Sequence, residues 1–120
     1  MEFLNRIELR GVVGRADVNS YNGSLVCNFS VVTENSAVDK EGNSTVESTW
    51  FNVTAWEGQP GIPDLYSIQK GGWIRVVGRL RQRRYVTQDG EERMSLDVLA
   101  RLVEIIPRED LSSLSPQRDW

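Results

Sequence analysis

The 120-residue chain contains no histidine and a single cysteine, Cys27. Those two absences exclude histidine-based triads, zinc clusters built from Cys and His, and an intramolecular disulfide. No stretch approaches the roughly 20 apolar residues of a membrane span. The N-terminal MEFLNRIELR carries charge every few positions, which leaves no apolar segment for a signal peptide. A cytoplasmic protein without membrane association is expected. The phosphate-binding spacings GxxxxGK[ST] and GxGxxG are also missing, and GVVGR at Gly11 to Arg15 has neither the spacing nor the lysine to replace them. The loop carboxylates Glu34, Asp39, Glu41 and Glu47 read as solubilising charges rather than a metal site. The expectation is a protein that is not an enzyme and holds no metal and no cofactor.

What the chain does have is an uneven charge distribution. Its formal net charge is −3, yet Trp73 to Tyr85 holds Arg75, Arg79, Arg81, Arg83 and Arg84 and no acidic residue. A positive stripe therefore sits inside an acidic protein, and such a stripe is either a solvated strand face or an anion-binding track. Apolar residues alternate with polar ones in five runs, the period of half-buried strands. Ile7, Leu9 and Val13 define the first, and Leu25, Cys27, Phe29 and Val31 the second, which makes Cys27 a small core residue. In the fourth, Ile74, Val76, Gly78 and Leu80 face one way and Arg75, Arg79, Arg81, Arg83 and Tyr85 the other. The fifth turns Met94, Leu96, Val98, Ala100 and Leu102 inward, with Arg93, Ser95, Asp97 and Arg101 outward.

The third run, TWFNVTAWEG, is the unusual one. Phe51, Val53 and Ala55 supply a normal core face, so Trp50, Asn52, Thr54 and Trp56 point to the other side of the sheet. Two indoles about 20 Å apart on a nominally wet face need a partner. A subunit interface or a covering loop would serve. So would single-stranded nucleic acid, because each exposed base offers a face to stack and each nucleotide a phosphate to neutralise; the arginine row ending in Tyr85 favours that option.

The connections complete the pattern. Tyr21 to Ser24, YNGS, carries an Asn-Gly hairpin turn, and Asp89-Gly90 another. The polar segment Thr33 to Ser48 reads as a long mobile hairpin loop. In GQPGIPDLYSIQKGG, Pro63 suits a helix first turn, Leu65, Tyr66 and Ile68 give it an apolar side, and Gly71 ends it. Three strands, one short helix and two strands is the element order of the OB-fold, an all-β, five-stranded Greek-key barrel with the helix between strands 3 and 4. Strand one is expected at a sheet edge, where it can extend into a second copy.

Five stretches in this order, LNRIELRGVVGRADV, NGSLVCNFSVVTE, ESTWFNVTAWEG, IQKGGWIRVVGRLRQRRY and QDGEERMSLDVLA, make the chain resemble the bacterial single-stranded DNA-binding protein family over about Leu4 to Ile106. The resemblance implies one domain over residues 1–106 and a homotetramer, with a dimer as fallback. It further implies sequence-independent binding of single-stranded DNA in replication, recombination and repair, in the cytoplasm and associated with the nucleoid. It assigns base stacking to Trp50, Trp56 and Tyr85, the residues that the face pattern selects; on the same faces, Arg79, Arg81, Arg83 and Arg84 are expected to pair phosphates and Asn52 and Thr54 to add polar contacts. Two departures stand out. The family's further aromatic after strand two is replaced by NSAVDK, where Ser36 and Ala37 cannot stack. The family's long acidic tail is replaced by residues 107–120, short, mixed in charge and ending in Trp120, which puts recruitment of replication or repair proteins in question. The alternative on the same fold is a protein-interaction adaptor, a primosome-type or mobile-element accessory subunit.

Overall fold

A computed structural model describes residues 1–107. It contains five strands, β1 (Ile7–Tyr21), β2 (Ser24–Val38), β3 (Ser44–Trp56), β4 (Trp73–Val86) and β5 (Glu92–Ile106), closed into a barrel in the order β1-β2-β3-β5-β4. This is the expected five-stranded all-β barrel. Between β3 and β4 the expected helix is a single 3₁₀ turn, Leu65–Ser67, whose N-terminus the Asp64 side chain caps by accepting from the Tyr66 N–H. Leu65 and Ile68 enter the core while Tyr66 stays exposed, so the apolar side of this turn is narrower than its sequence suggests. No helix among the described residues is long and apolar enough to cross a membrane.

The inward rows of the strands fill the barrel. Val13, Cys27, Phe29, Val31, Val53, Ala55, Ile74, Val76, Val98 and Ala100 are all buried. Burial pushes the Cys27 thiol up to about 11, which makes it an inert core group, as expected.

Two bulges reset the alternation. On β1 the register with β2 steps from Val13↔Val31 to Arg15↔Ser30, leaving Gly14 as the extra residue, after which Ala16 and Val18 turn inward. On β5 the register with β4 steps from Val77↔Leu102 to Gly78↔Ala100, leaving Arg101 extra. That step is why Val103, rather than the expected Leu102, is the buried residue beyond Ala100. At the same place the strands approach closely: a β-carbon on Gly78 would lie 2.9 Å from the Leu99 carbonyl carbon and 3.0 Å from the Ala100 Cα.

Three further expectations are corrected. The polar segment Thr33 to Ser48 is a continuous two-stranded ribbon, paired from Thr33↔Thr49 to Val38↔Ser44. Only Lys40 to Gly42 form its loop, closed by Asp39 and Asn43. Both faces of the ribbon are polar, so no periodicity marked it. Met94 and Leu96 are on the expected face but remain 55% and 51% exposed, as does Leu80 at 37%, because the β4–β5 hairpin outruns the barrel and meets no core there. Strand β1 is not a simple edge strand: residues 7–12 pair with β4 and residues 12–21 with β2. Residues 108–120, including Trp120 and the expected tail, lie outside the described residues.

Gly78→Ala should lower stability by about 1–3 kcal/mol, because the atoms it meets belong to the neighbouring backbone and cannot rotate away. Urea unfolding would check this; a midpoint equal to that of the unaltered chain would show that the bulge can relax.

Candidate functional site

The outward row of β3 is Trp50, Asn52, Thr54 and Trp56, matched across the ladder by Val32, Ser30, Asn28 and Val26 of β2. On its other side Thr54 pairs with Leu99 of β5. The outward row of β5 continues through Asp97, Ser95 and Arg93, which face Arg81, Arg83 and Tyr85 of β4, with Arg79 opposite Leu99. The closed topology therefore brings Trp50, Asn52, Thr54, Trp56, Arg79, Arg81, Arg83 and Tyr85 to one side of the barrel. Arg84 pairs with Met94 and alternates onto the opposite face of the hairpin.

The two indoles are held differently. Trp50 is 60% exposed, and its ring rests on the β1 bulge: a β-carbon on Gly14 would stand 2.7 Å from the ring Cη2 and 3.0 Å from Ser30 Oγ. Only glycine leaves room for the indole there. Trp56 is half-buried, and Tyr21 meets it edge-on, with centroids 6.3 Å apart and planes at 69°, a contact worth about 0.5–1.5 kcal/mol. Tyr85 stands 49% exposed on the hairpin, without a ring neighbour among the described residues.

At the centre of this face lies a carboxylate. Asp97 is 5% exposed and accepts two hydrogen bonds from Arg81, Nε to Oδ1 at 2.9 Å and Nη2 to Oδ2 at 3.2 Å. Arg83 Nη1 approaches Oδ2 to 3.5 Å. The Thr54 hydroxyl donates to Asn28 Oδ1 at 3.0 Å and lies 3.5 Å from Asp97 Oδ2. A hydroxyl has one proton, so the shorter Asn28 contact takes it. A cleft of about 340 Å³ opens here, lined by Arg15, Asn28, Asn52, Thr54, Arg83 and Asp97 among others.

The four arginines of the expected phosphate track are thus not equivalent. Arg81 is neutralised by a fork-to-fork pair and belongs to the framework; Arg83 is partly committed to the same carboxylate. Arg79 and Arg84 have no carboxylate within salt-bridge reach among the described residues. Alternation placed Asp97 and Asn28 on the outward face but did not mark their role, and it missed Tyr21 and Gly14. Tyr21 was discoverable from its place beside the Asn22-Gly23 turn at the end of β1, on the flank of the strand pair that carries Trp56.

Comparison with known proteins adds independent findings. A family model described as the single-strand binding protein family matches residues 4–106. A single-stranded DNA-binding protein of Neisseria meningitidis serogroup A is 34% identical over 105 residues, which cover 86% of this chain and 60% of that protein. Its counterpart in Xanthomonas campestris pv. campestris is 29% identical over 105 residues, with the same coverage. The chain spans 60% of the length of these curated relatives. Among solved structures, the Plasmodium falciparum SSB complex with ssDNA superposes with a TM-score of 0.76 at 23% identity, over 89% of this chain and 98% of that one. A deletion mutant of the single-stranded DNA binding protein from Thermus aquaticus gives 0.72 at 21% identity, over 89% and 52%. At those identities the structural likeness concerns the fold.

Arg81→Ala would leave the buried Asp97 carboxylate without its two strongest donors. It should cost about 1–3 kcal/mol of stability, the penalty of an under-satisfied buried acceptor. Denaturant melts would measure it, and an unchanged midpoint would mean that Arg83 or water replaces the lost guanidinium.

Proposed function

The chain belongs to the single-strand binding protein family, and from that premise we propose that it coats single-stranded DNA without reading its sequence, in replication, recombination and repair, in the cytoplasm and associated with the nucleoid. The observation that carries this reading is the outward row of β3, where two indoles stand on a face whose core is filled independently by Phe51, Val53 and Ala55. Bases stack on Trp50, Trp56 and Tyr85, each platform contributing about 1–3 kcal/mol per base and tolerating any base. Arg79, Arg83 and Arg84 neutralise phosphates at the rim. Arg81 acts through Asp97, keeping the centre of the face rigid. Asn52, exposed between the indoles, supplies hydrogen bonds to base edges or sugar; Thr54, expected to do the same, is buried and donates to Asn28, so it belongs to the framework with Arg81 and Asp97. The active species is a homotetramer, or failing that a dimer, which multiplies a modest single site along one strand.

Gly14 serves this face indirectly, as the floor under Trp50. Trp50→Ala and Trp56→Ala should each weaken binding to homothymidine DNA by about 1–3 kcal/mol and reduce fluorescence quenching, with melting temperature little changed. Gly14→Ala should reproduce part of the Trp50 loss by lifting the ring off its seat. If these variants break the oligomer while per-site affinity persists, the indoles are interface residues and the stacking reading fails.

Light scattering at micromolar concentration should report four chains per particle. A monomer would remove the assembly from this proposal while leaving the stacking face to be judged by the titrations.

A further inference from the structure

Beyond the aromatic face, a second groove lies on the barrel wall between the N-terminal segment, the loop that follows β3, and the β4–β5 ladder. It encloses about 490 Å³, and its polar lining consists of Asn5, Arg6, Gln59, Arg79 and Arg101, with no carboxylate. Three arginines line it. Arg79 and Arg101 have no acidic partner among the described residues, and Arg6 has only an exposed contact with Glu8 at 3.5 Å. Cations gathered in one concavity without a counter-charge repel one another and leave a site for an anion.

The groove is built, not incidental. Asn5 clamps the N-terminal segment to β4 with two bonds: its Nδ2 donates to the Leu80 carbonyl at 2.7 Å, and its Oδ1 accepts from the Leu80 N–H at 3.0 Å. That clamp fixes the next residue, Arg6, beside the strand carrying Arg79. Arg101 is the extra residue of the β5 bulge, and it is exposed, so the bulge turns its side chain out of the ladder. The groove also borders the stacking face: Leu99, one of its lining residues, pairs with Thr54 on one side and with Arg79 on the other. The parallel register pairs Thr54 with Leu99, and two residues further along each strand are Trp56 and Arg101. Gln59 follows Trp56 by three residues in the chain and lines the groove together with Arg101 and Arg79.

We propose that this groove carries the phosphodiester backbone of single-stranded DNA onward from Trp56, lengthening the path the strand takes over one subunit. The inference rests on the proposed DNA-binding function and adds residues, Arg101 and Arg6, that stacking does not require. Its signature is a dependence on DNA length. Homothymidine oligonucleotides of about 5 and about 30 nucleotides stand at the short end of, and well beyond, the sites of roughly 4–16 nucleotides found on one such barrel. Arg101→Gln should bind the short one like the unaltered chain. It should bind the long one several-fold more weakly, with a slope of log affinity against log salt shallower by about 0.7 for the lost phosphate contact. Lys70→Gln, an equal charge change in the loop after the 3₁₀ turn, should leave both nearly unchanged. Unchanged affinity and slope for the long strand in Arg101→Gln would overturn the proposal. So would equal losses for Arg101→Gln and Lys70→Gln, which would reduce the effect to net charge, or an equal loss on the short strand, which would put Arg101 at the stacking face. Failure of the unaltered chain to bind either oligonucleotide would overturn the DNA-binding reading itself; binding of the short one alone would overturn only the groove.

Discussion

Closing the barrel is the constraint from which the rest follows. β3 and β5 run parallel and share only two paired residues, Val53↔Val98 and Thr54↔Leu99, so closure depends on a narrow seam. To reach it, the chain bends β1 from a β4 partner to a β2 partner at Val12 and loosens the β4–β5 ladder at Val77/Gly78. Glycine is placed where these bends force backbones together: a β-carbon on Gly11 would run into the Val32 carbonyl, and one on Gly78 into that of Leu99. Past the seam the two hairpins have nothing to close onto. They project as ribbons, one bearing Asp39 to Asn43 at its tip and the other bearing Tyr85 and the apolar Met94 and Leu96.

The seam also decides the electrostatics of the aromatic face. Pairing Thr54 with Leu99 draws β4 and β5 beside the tryptophan row, and with them both Arg81 and Asp97. A carboxylate at the centre of a face proposed to bind DNA needs a physical account. Buried and forked to Arg81, however, it is neutralised locally, and it holds the guanidinium flat between the strands. The cations without an acidic partner among the described residues stand at the margins, Arg79 lining the groove and Arg84 on the far side of the hairpin. A polyanion on such a face lays its bases over the neutral, aromatic middle and its phosphates along the rim. The net charge of −3 then matters less than where the unpaired charges lie.

How much of this was legible depended on whether a residue met the core. The inward rows of β2, β3 and the first half of β4 were plain in their alternation, and the outward tryptophans followed from Phe51, Val53 and Ala55. Where a strand leaves the core the pattern loses its meaning: the ribbon from Thr33 to Ser48 is polar on both faces, and Met94 and Leu96 keep the inward period with nothing to bury them. The Arg81–Asp97 pair was hidden for a different reason. Asp89-Gly90 suggests a two-residue turn, which would pair residues summing to 179 and set Arg81 against Val98. The loop is instead three residues, Gln88 to Gly90, closed by Thr87 and Glu91, with Gly90 in the left-handed region at φ 82°. Partners then sum to 178, as in Val86↔Glu92, and Arg81 meets Asp97. One residue of loop length separates a charge left open on the outer face from one that belongs to the framework.

The two bulges are harder to read from sequence and matter most for function. A bulge forfeits a ladder pair and adds twist, a cost tolerated at positions that re-aim a side chain. Gly14 adds no side chain of its own; its missing β-carbon is the seat of the Trp50 indole. Arg101 is the converse case, an extra residue whose long side chain is thrown clear of the ladder into the arginine groove. The bulges that bend the strands toward closure thus also shape the outer surface: regular strands would not seat Trp50 on β1, and they would return Arg101 to the ladder, where alternation alone would decide its direction. The irregularities of the sheet therefore both re-aim the outer surface: one lies under the exposed Trp50 indole, the other puts Arg101 in the arginine-lined groove.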